Sequence, residues 1–231
     1  MTHPKGTRSP RQAELEKIAR AYDSEPWWYD VRGFFILTFA YRSTLGAQLR
    51  LFGNNIGRQH LECAVGSGTL LDLILKWRRW KRLGGNDRIV GFDYAEPMLA
   101  GAIRRFSKHP EIELHLADVG ALEFPDNTFD TANIANAIHC FPDVDAGLRE
   151  VHRVLKPGGT LAVNVLLFPR GAGPLRWIAQ RINDWGMRKG ILHTPYEAAA
   201  IRARFLQAGF ETVDEKISGN TLNAVLRKRT D

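Results

Sequence analysis

The stretch His60-Leu-Glu-Cys-Ala-Val-Gly-Ser-Gly-Thr-Leu-Leu-Asp-Leu-Ile-Leu75 decides the fold. A short apolar strand enters the turn Gly66-Ser67-Gly68 and leaves it directly as a leucine-rich helix. Glycines at a strand-to-helix turn allow positive φ and let a ligand approach backbone that a Cβ would shield. A dinucleotide fingerprint requires a further glycine at position 71. Leu71 stands there, which argues against a pyrophosphate seated on the helix start. The acid ahead of the glycines, Glu62, suits a ligand with positive charge and no phosphate.

S-adenosylmethionine (SAM), with its sulfonium and α-amino group, meets that description. Glu62-Cys-Ala-Val-Gly-Ser-Gly68 resembles motif I of the class I SAM-dependent methyltransferases, which reads acid-x-Gly-x-Gly-x-Gly. The departure is Ala64 where the first glycine is usual, and its methyl is expected to crowd the methionine end of the cofactor. Three later segments match the family in order and spacing, so the resemblance covers residues 59–165. Arg88-Ile-Val-Gly-Phe-Asp93 reads as a second buried strand ending in an acid. The resemblance implies that Asp93 accepts both ribose hydroxyls and that Tyr94 and Met98 make apolar contacts to the adenine. It implies further that Asp118, after a strand Ile112–Ala117, accepts the adenine amine and that the Val119 backbone meets the ring. Glu62, Ala64, Gly66, Gly68 and Asn136 complete the expected cofactor set. Asp93 also suits the N-cap of a helix over Glu96–Phe106.

Arg149-Glu-Val-His-Arg-Val-Leu-Lys-Pro-Gly-Gly-Thr160 is similar to another family signature, with a structural job. The expected reading is a helix ending at Lys156, a stop at Pro157 and a diglycine turn into a strand over Thr160–Leu167. Thr194-Pro-Tyr-Glu197 is expected to open the last helix, with a proline at its first position. A hairpin turning at Ser218-Gly-Asn220 joins strands over 210–217 and 221–228. The fold class is therefore α/β: a Rossmann-like, seven-stranded, mostly parallel sheet with helices on both faces and a C-terminal antiparallel hairpin. The expected organisation is a disordered tail over 1–12, an N-terminal helical cap over 13–58, and a SAM-binding core over 59–231. An inserted substrate lid occupies 168–194 of that core, with a helical stripe of Leu175, Ile178, Ile182 and Trp185.

The chain has 231 residues, 44% hydrophobic and 25% charged, which fits one globular domain. No apolar run reaches the ~18–20 residues that cross a bilayer, and no secretory signal is recognised at the N-terminus. Cys63 and Cys140 make neither a disulfide framework nor a metal cluster, so a reducing cytoplasm is expected. The formal charge of +7 is clustered: Lys76-Trp-Arg-Arg-Trp-Lys-Arg82 holds five cations and two tryptophans. Such a run is either a solvated helix end or a patch for an anionic surface. Peripheral contact with an anionic membrane is one expectation from it. Sequence-specific nucleic-acid binding is not expected, because the Asn/Asp-Pro-Pro-Tyr/Phe segment of exocyclic-amine DNA methyltransferases is absent, with Asn136-Ala-Ile-His139 in its place.

Methyl transfer from a sulfonium is an in-line displacement in which the protein positions the acceptor, excludes water and removes a proton where one must leave. His139, just past the expected fourth strand, is the candidate general base, set against a hydrogen-bonded structural role. Tyr22 and Tyr29 are similar to the N-terminal cap tyrosines of small-molecule methyltransferases and are the other catalytic candidates. No metal site is expected. The aromatic and aliphatic segments Trp27–Tyr41 and Phe168–Trp185 suit a small apolar or lipid-like acceptor, either a quinone-like ring or a phospholipid headgroup amine. The alternatives are a small polar or thiol acceptor, or a SAM-binding protein without catalysis. Oligomeric state is not legible.

Overall fold

The computed structural model describes residues 43–84, 87–170, 173–188 and 195–230. The expected N-terminal helix over Gln12–Tyr22, the apolar run Phe34–Tyr41, and both Tyr22 and Tyr29 lie outside the described residues. Seven strands form one sheet in the order β3-β2-β1-β4-β5-β7-β6. They are β1 (Gln59–Cys63), β2 (Arg88–Asp93), β3 (Ile112–Leu116), β4 (Phe129–Ile134), β5 (Leu155–Leu166), β6 (Phe210–Ser218) and β7 (Thr221–Lys228). All neighbours are parallel except β7, which runs antiparallel to both β5 and β6. The expected sheet and its C-terminal hairpin are therefore present.

Helices α1 (Leu45–Asn54), α2 (Thr69–Trp80), α3 (Glu96–Arg105), α4 (Val144–Val154), α5 (Pro174–Arg188) and α6 (Ala198–Gln207) complete the described elements. Parallel strands require crossovers, and these bury both faces of the sheet. Phe52 of α1, Leu71 and Ile74 of α2 and Ala102 of α3 pack with Ile89 and Ile112 on one face. Leu148 and Val151 of α4 pack with Ile201 and Phe205 of α6 on the other, against Leu61, Cys63, Ala132, Ile134 and Val163.

Three boundaries differ from the sequence reading. The helix before the Lys156-Pro-Gly-Gly159 segment ends at Val154, not Lys156, because β5 already starts at Leu155, which pairs with Phe129. Thr160 then pairs with Thr131, so Lys156–Gly159 bulges from the strand instead of capping a helix. Gly159 is held there by crowding, since an added Cβ would lie 2.8 Å from Lys156 O and 2.9 Å from Asp130 O. The last helix starts at Ala198, with Glu197 at its N-cap, because Tyr196 is used in a parallel bridge to Leu167. On α5 the buried positions are Ala179, Asn183 and Gly186, offset from the expected stripe, while Ile178, Ile182 and Trp185 are half-buried.

Candidate functional site

Strand order reverses between β1 and β4, so the connections that leave their carboxyl ends run to opposite faces of the sheet, and the crevice where open α/β sheets bind ligands lies between them. Four residues around this crevice hold left-handed backbone: Ala64 (φ 55°), Gly66 (φ 58°), Gly68 (φ 76°) and Asn136 (φ 55°). Gly68 is replaceable by nothing larger, because a Cβ would meet Phe106 at 2.6 Å. Ala64 bears the strain that the usual glycine avoids, and such strain collects at functional sites.

The motif I turn is stitched to the end of β2. Val65 N–H donates to Phe92 O at 2.9 Å, and Gly66 N–H donates to Asp93 Oδ2 at 2.7 Å. Asp93 Oδ1 accepts the Ala95 N–H at 2.8 Å. Burial pushes the Asp93 carboxyl above its usual range, and these backbone donors offset only part of that push. The Tyr94 N–H is a third backbone donor to this carboxylate, which therefore fixes the turn and keeps acceptor capacity for a ribose hydroxyl. Arg105 supports the turn from outside, donating to Ser67 O at 3.1 Å and Thr69 Oγ1 at 2.8 Å. The Met98 side chain ends 3.9 Å from where a Gly66 Cβ would stand, and Tyr94, next after Asp93 in the chain, is half-buried. Past β3, Asp118 Oδ1 accepts the Gly120 N–H at 2.9 Å, and Val119 is buried.

Glu62 is almost fully buried and anchored by one oxygen. Oε2 meets His60 Nε2 at 3.2 Å and accepts from Asn133 Nδ2 at 3.1 Å. Behind His60, Nδ1 lies 2.8 Å from Thr131 Oγ1, which already accepts the Gly57 N–H at 2.9 Å. The Thr131 hydrogen can therefore go to Nδ1, and Nε2–H then donates to Glu62. Asn55 of the α1 C-cap extends the network, donating to Asn133 Oδ1 at 3.2 Å and accepting from Thr160 Oγ1 at 2.7 Å. A second clamp holds Asn136. Its amide exchanges bonds with Gln48 of α1 at 3.0 and 3.3 Å, and Asn164 Nδ2 donates to Asn136 Oδ1 at 2.6 Å. Sequence reasoning missed His60, Asn133, Asn55, Gln48 and Asn164. For His60, Asn133 and Asn164 the signal was a polar residue on an otherwise buried strand, whereas Gln48 and Asn55 sit on α1 and its C-cap.

His139 is buried in a 3-10 turn, Ile138–Cys140, that follows β4 at the same edge. Cys63 faces the apolar core, and burial pushes its thiol well up, so it is inert. Tyr196 was another missed residue: its backbone closes the end of β5, its side chain is half-buried, and burial raises its hydroxyl pKa. The basic run sits elsewhere. α2 carries the chain from the crevice back to the opposite edge, and there Arg78 is buried, donating to Gly53 O and, at 2.7 Å, to Gly84 O. Lys76 pairs with Asp72 at 2.8 Å.

A methyltransferase domain model matches residues 61–163. A ubiquinone/menaquinone biosynthesis C-methyltransferase from Hahella chejuensis is 30% identical over 177 residues, covering 75% of this chain and 68% of that protein. The chain belongs to the class I SAM-dependent methyltransferase family. Its cofactor is S-adenosylmethionine, and the crevice fits that group: a left-handed cradle open above Gly66, a carboxylate at the β2 end and a buried, anchored acid in motif I. A demethylmenaquinone methyltransferase from Thermus thermophilus is 43% identical over 110 residues, 47% of this chain and 46% of that one. The chain spans 64% and 46% of the length of the first two curated relatives it matches. Among solved structures, the [4+2]-cyclase SpnF shares the fold with TM-score 0.62 at 20% identity, covering 80% of this chain and 81% of that one.

Proposed function

We propose that this protein transfers the methyl group of S-adenosylmethionine to a ring carbon of a lipid-tailed, quinone-type acceptor. The observation that carries this reading is the similarity to relatives named for methylation in ubiquinone and menaquinone biosynthesis, one of which extends over three quarters of the chain. The acceptor edge agrees with it. Ile138, Phe141 and Leu167 belong to the apolar core beneath that edge, with His139 and the half-buried Tyr196 as the polar groups beside them, so the wall behind the site is apolar. Such a wall favours an apolar ring and penalises an unpaired charge.

Bound S-adenosylmethionine supplies an electrophilic methyl on a sulfonium. The chain's residues must orient the acceptor in line with it, exclude water, and take a hydroxyl proton so that the ring carbon becomes electron-rich. His139 is the base in this reading. Tyr196, whose burial keeps it protonated at neutral pH, donates a hydrogen bond to the acceptor's other oxygen. The carbon–methyl bond would form as the sulfur–methyl bond breaks and the thioether leaves; the ring proton would then pass to solvent while His139 returns its proton to the ring oxygen.

The test is label transfer from methyl-labelled SAM to a reduced, demethylated short-tail naphthoquinone, beside phosphatidylethanolamine and small polar and thiol acceptors. The expected result is a labelled methyl on the quinol ring carbon. Label on phospholipid or thiol with none on the quinol would overturn the acceptor. The shared fold of a cyclase keeps one further reading alive, a SAM-binding protein without methyl transfer. S-adenosylhomocysteine binding with label on no acceptor would support that one.

A further inference from the structure

The chain leaves the sheet after Leu166 and returns to it at Tyr196, which pairs with Leu167 in a parallel bridge. Phe168 N–H donates to Tyr196 O at 3.1 Å, and Tyr196 N–H donates to Leu166 O at 3.0 Å. Arg170 N–H donates to Asn220 Oδ1 at 3.0 Å in the β6–β7 turn. The insertion that contains α5 therefore hangs from the carboxyl edge of the sheet, the edge that carries Ala64, Asp93 and Asn136. One face of α5 is seated on the molecule through Ala179, Asn183 and Gly186. A helix of 3.6 residues per turn puts Trp177, Arg181, Asp184 and Arg188 on the opposite face. Trp177 is 63% exposed, and the Arg181 guanidinium lies over its ring at 5.4 Å. Arg170, Arg176, Arg181 and Arg188 are all exposed, and Asp184, already accepting from Gln180 at 2.8 Å, is the one acid among the described residues of the helix.

We propose that this outward face of α5 docks the enzyme on an anionic membrane and turns the mouth of the acceptor site toward the lipid. The proposal rests on the quinone-type reading of the acceptor. Exposed tryptophan beside arginines is the composition of an interfacial helix: the indole lies at the headgroup boundary and the guanidiniums meet phosphates. The charge is complementary to an anionic leaflet and the position is right, because a long isoprenoid tail enters the site only from the edge where the crevice opens. The more conspicuous basic run Lys76–Arg82 fails on that geometry. It lies at the opposite edge, its Arg78 is spent inside the fold, and docking through it would point the crevice into water.

Co-sedimentation of the full chain with phosphatidylcholine vesicles, and with vesicles that also contain phosphatidylglycerol, tests this at low and moderate salt. Expected is salt-sensitive binding to the anionic vesicles alone. Trp177→Ala/Arg181→Glu, and separately Arg188→Glu, should lower it, the double variant by about tenfold. Arg79→Glu/Arg82→Glu at the other edge should change it by less than about twofold, as for charges beyond a Debye length from the contact. No binding to anionic vesicles, or loss in the Arg79/Arg82 variant alone, overturns the proposal. Turnover separates it from the acceptor reading. The α5 variants should keep their rate on a detergent-dispersed short-tail quinol and lose it on a vesicle-embedded long-tail one. A wild type that binds vesicles in this pattern and methylates no quinol would leave the docking face standing and the acceptor wrong.

Discussion

At β1, β4 and β5 the two faces of the sheet are built on opposite rules from the same strands. Under α4 and α6, the residues Leu61, Cys63, Ala132, Ile134, Leu161 and Val163 make an uninterrupted apolar surface. One residue over on each strand, under α1, stand His60, Glu62, Thr131, Asn133 and Thr160, joined by hydrogen bonds among themselves and through Asn55, and Asn164, which with Gln48 holds Asn136. Apolar burial is non-directional and contributes stability without fixing an angle. A satisfied polar network contributes little net stability but fixes geometry, and each broken bond in it is costly. The polar face leads from Thr160 up to Glu62 and Asn136 at the crevice. We read the apolar face as the foundation and the polar face as the mounting of the cofactor loops.

The largest expected effect lies on the apolar side. Phe205 of α6 is 1% exposed in that core. Phe205→Ala should destabilise by about 3–5 kcal/mol, a drop of roughly 10 °C in Tm for a domain of this size. Calorimetric affinity for S-adenosylhomocysteine, measured well below that Tm, should stay at the wild-type value. A matching loss of affinity would mean that the faces are not separable.

His60→Leu is the counterpart on the polar side. It removes one of the two bonds to Glu62 Oε2 in a site where His60 is 0% and Glu62 3% exposed. The stability cost is about 3 kcal/mol, the scale for a buried charged acceptor losing its donor. Unlike Phe205→Ala, it should also weaken S-adenosylhomocysteine binding about tenfold, because a loosened Glu62 loosens motif I. His60→Gln restores a donor and should recover most of the affinity. Equal affinity in Leu and Gln variants would reduce His60 to a packing residue.

The apolar face was legible in the sequence and the polar one was not, for a physical reason. Short apolar stretches mark β1, β2 and β4 as buried strands locally, and Gly66, Gly68 and Asp93 mark the turns at the strand ends, so the sheet followed. His60, Asn133 and Asn55 acquire meaning only when β1 and the end of α1 are brought against β4, 71 and 78 residues away in the chain. The Lys156–Gly159 segment misled because proline and two glycines imitate a helix stop, while Leu155 had already joined the sheet. Tyr196 was hidden for a similar reason: Thr194-Pro195 resembles a helix start, yet the bridge to Leu167 delays the helix to Ala198.

Asp93 sharpens the comparison at the place where the mounting meets the ligand. Its carboxyl is raised by burial, so in the free protein it begins to protonate above the ordinary range near ~4. A group raised in the folded state favours folding below its unfolded pKa, and that contribution fades as pH rises through the folded value. Cofactor binding is expected to have the opposite sign, because in the proposed role of Asp93 ribose hydroxyls donate to the ionised form. Affinity for S-adenosylhomocysteine should therefore fall on acidification starting above that ordinary range, and rise to a plateau toward neutral pH. Asp93→Asn should bind more weakly, by about 1–3 kcal/mol, and with this limb of the pH profile flattened. A limb that survives in Asp93→Asn would assign the titration to another group.

The smallest effect is expected at Ala64, where the strain of the mounting can be read directly. A left-handed alanine costs about 1 kcal/mol, and Ala64→Gly removes that cost. The same change frees the unfolded chain by about 0.4–1 kcal/mol, so the two nearly cancel and Tm should move by less than about 2 °C. Affinity is the informative quantity. If the methyl of Ala64 only crowds the methionine end, glycine should bind S-adenosylhomocysteine as tightly or a few-fold more tightly. Ala64→Val, with a β-branched side chain forced to φ near 55°, should lose both stability and binding. Weaker binding by Ala64→Gly would instead show that this chain uses the alanine Cβ to stiffen the β1 end. Asn136 stands at the β4 end at the same φ of 55°, where Gln48 and Asn164 supply the stiffness through hydrogen bonds. The two strands that frame the crevice would then be braced by different means, one by side-chain bulk and one by the polar network.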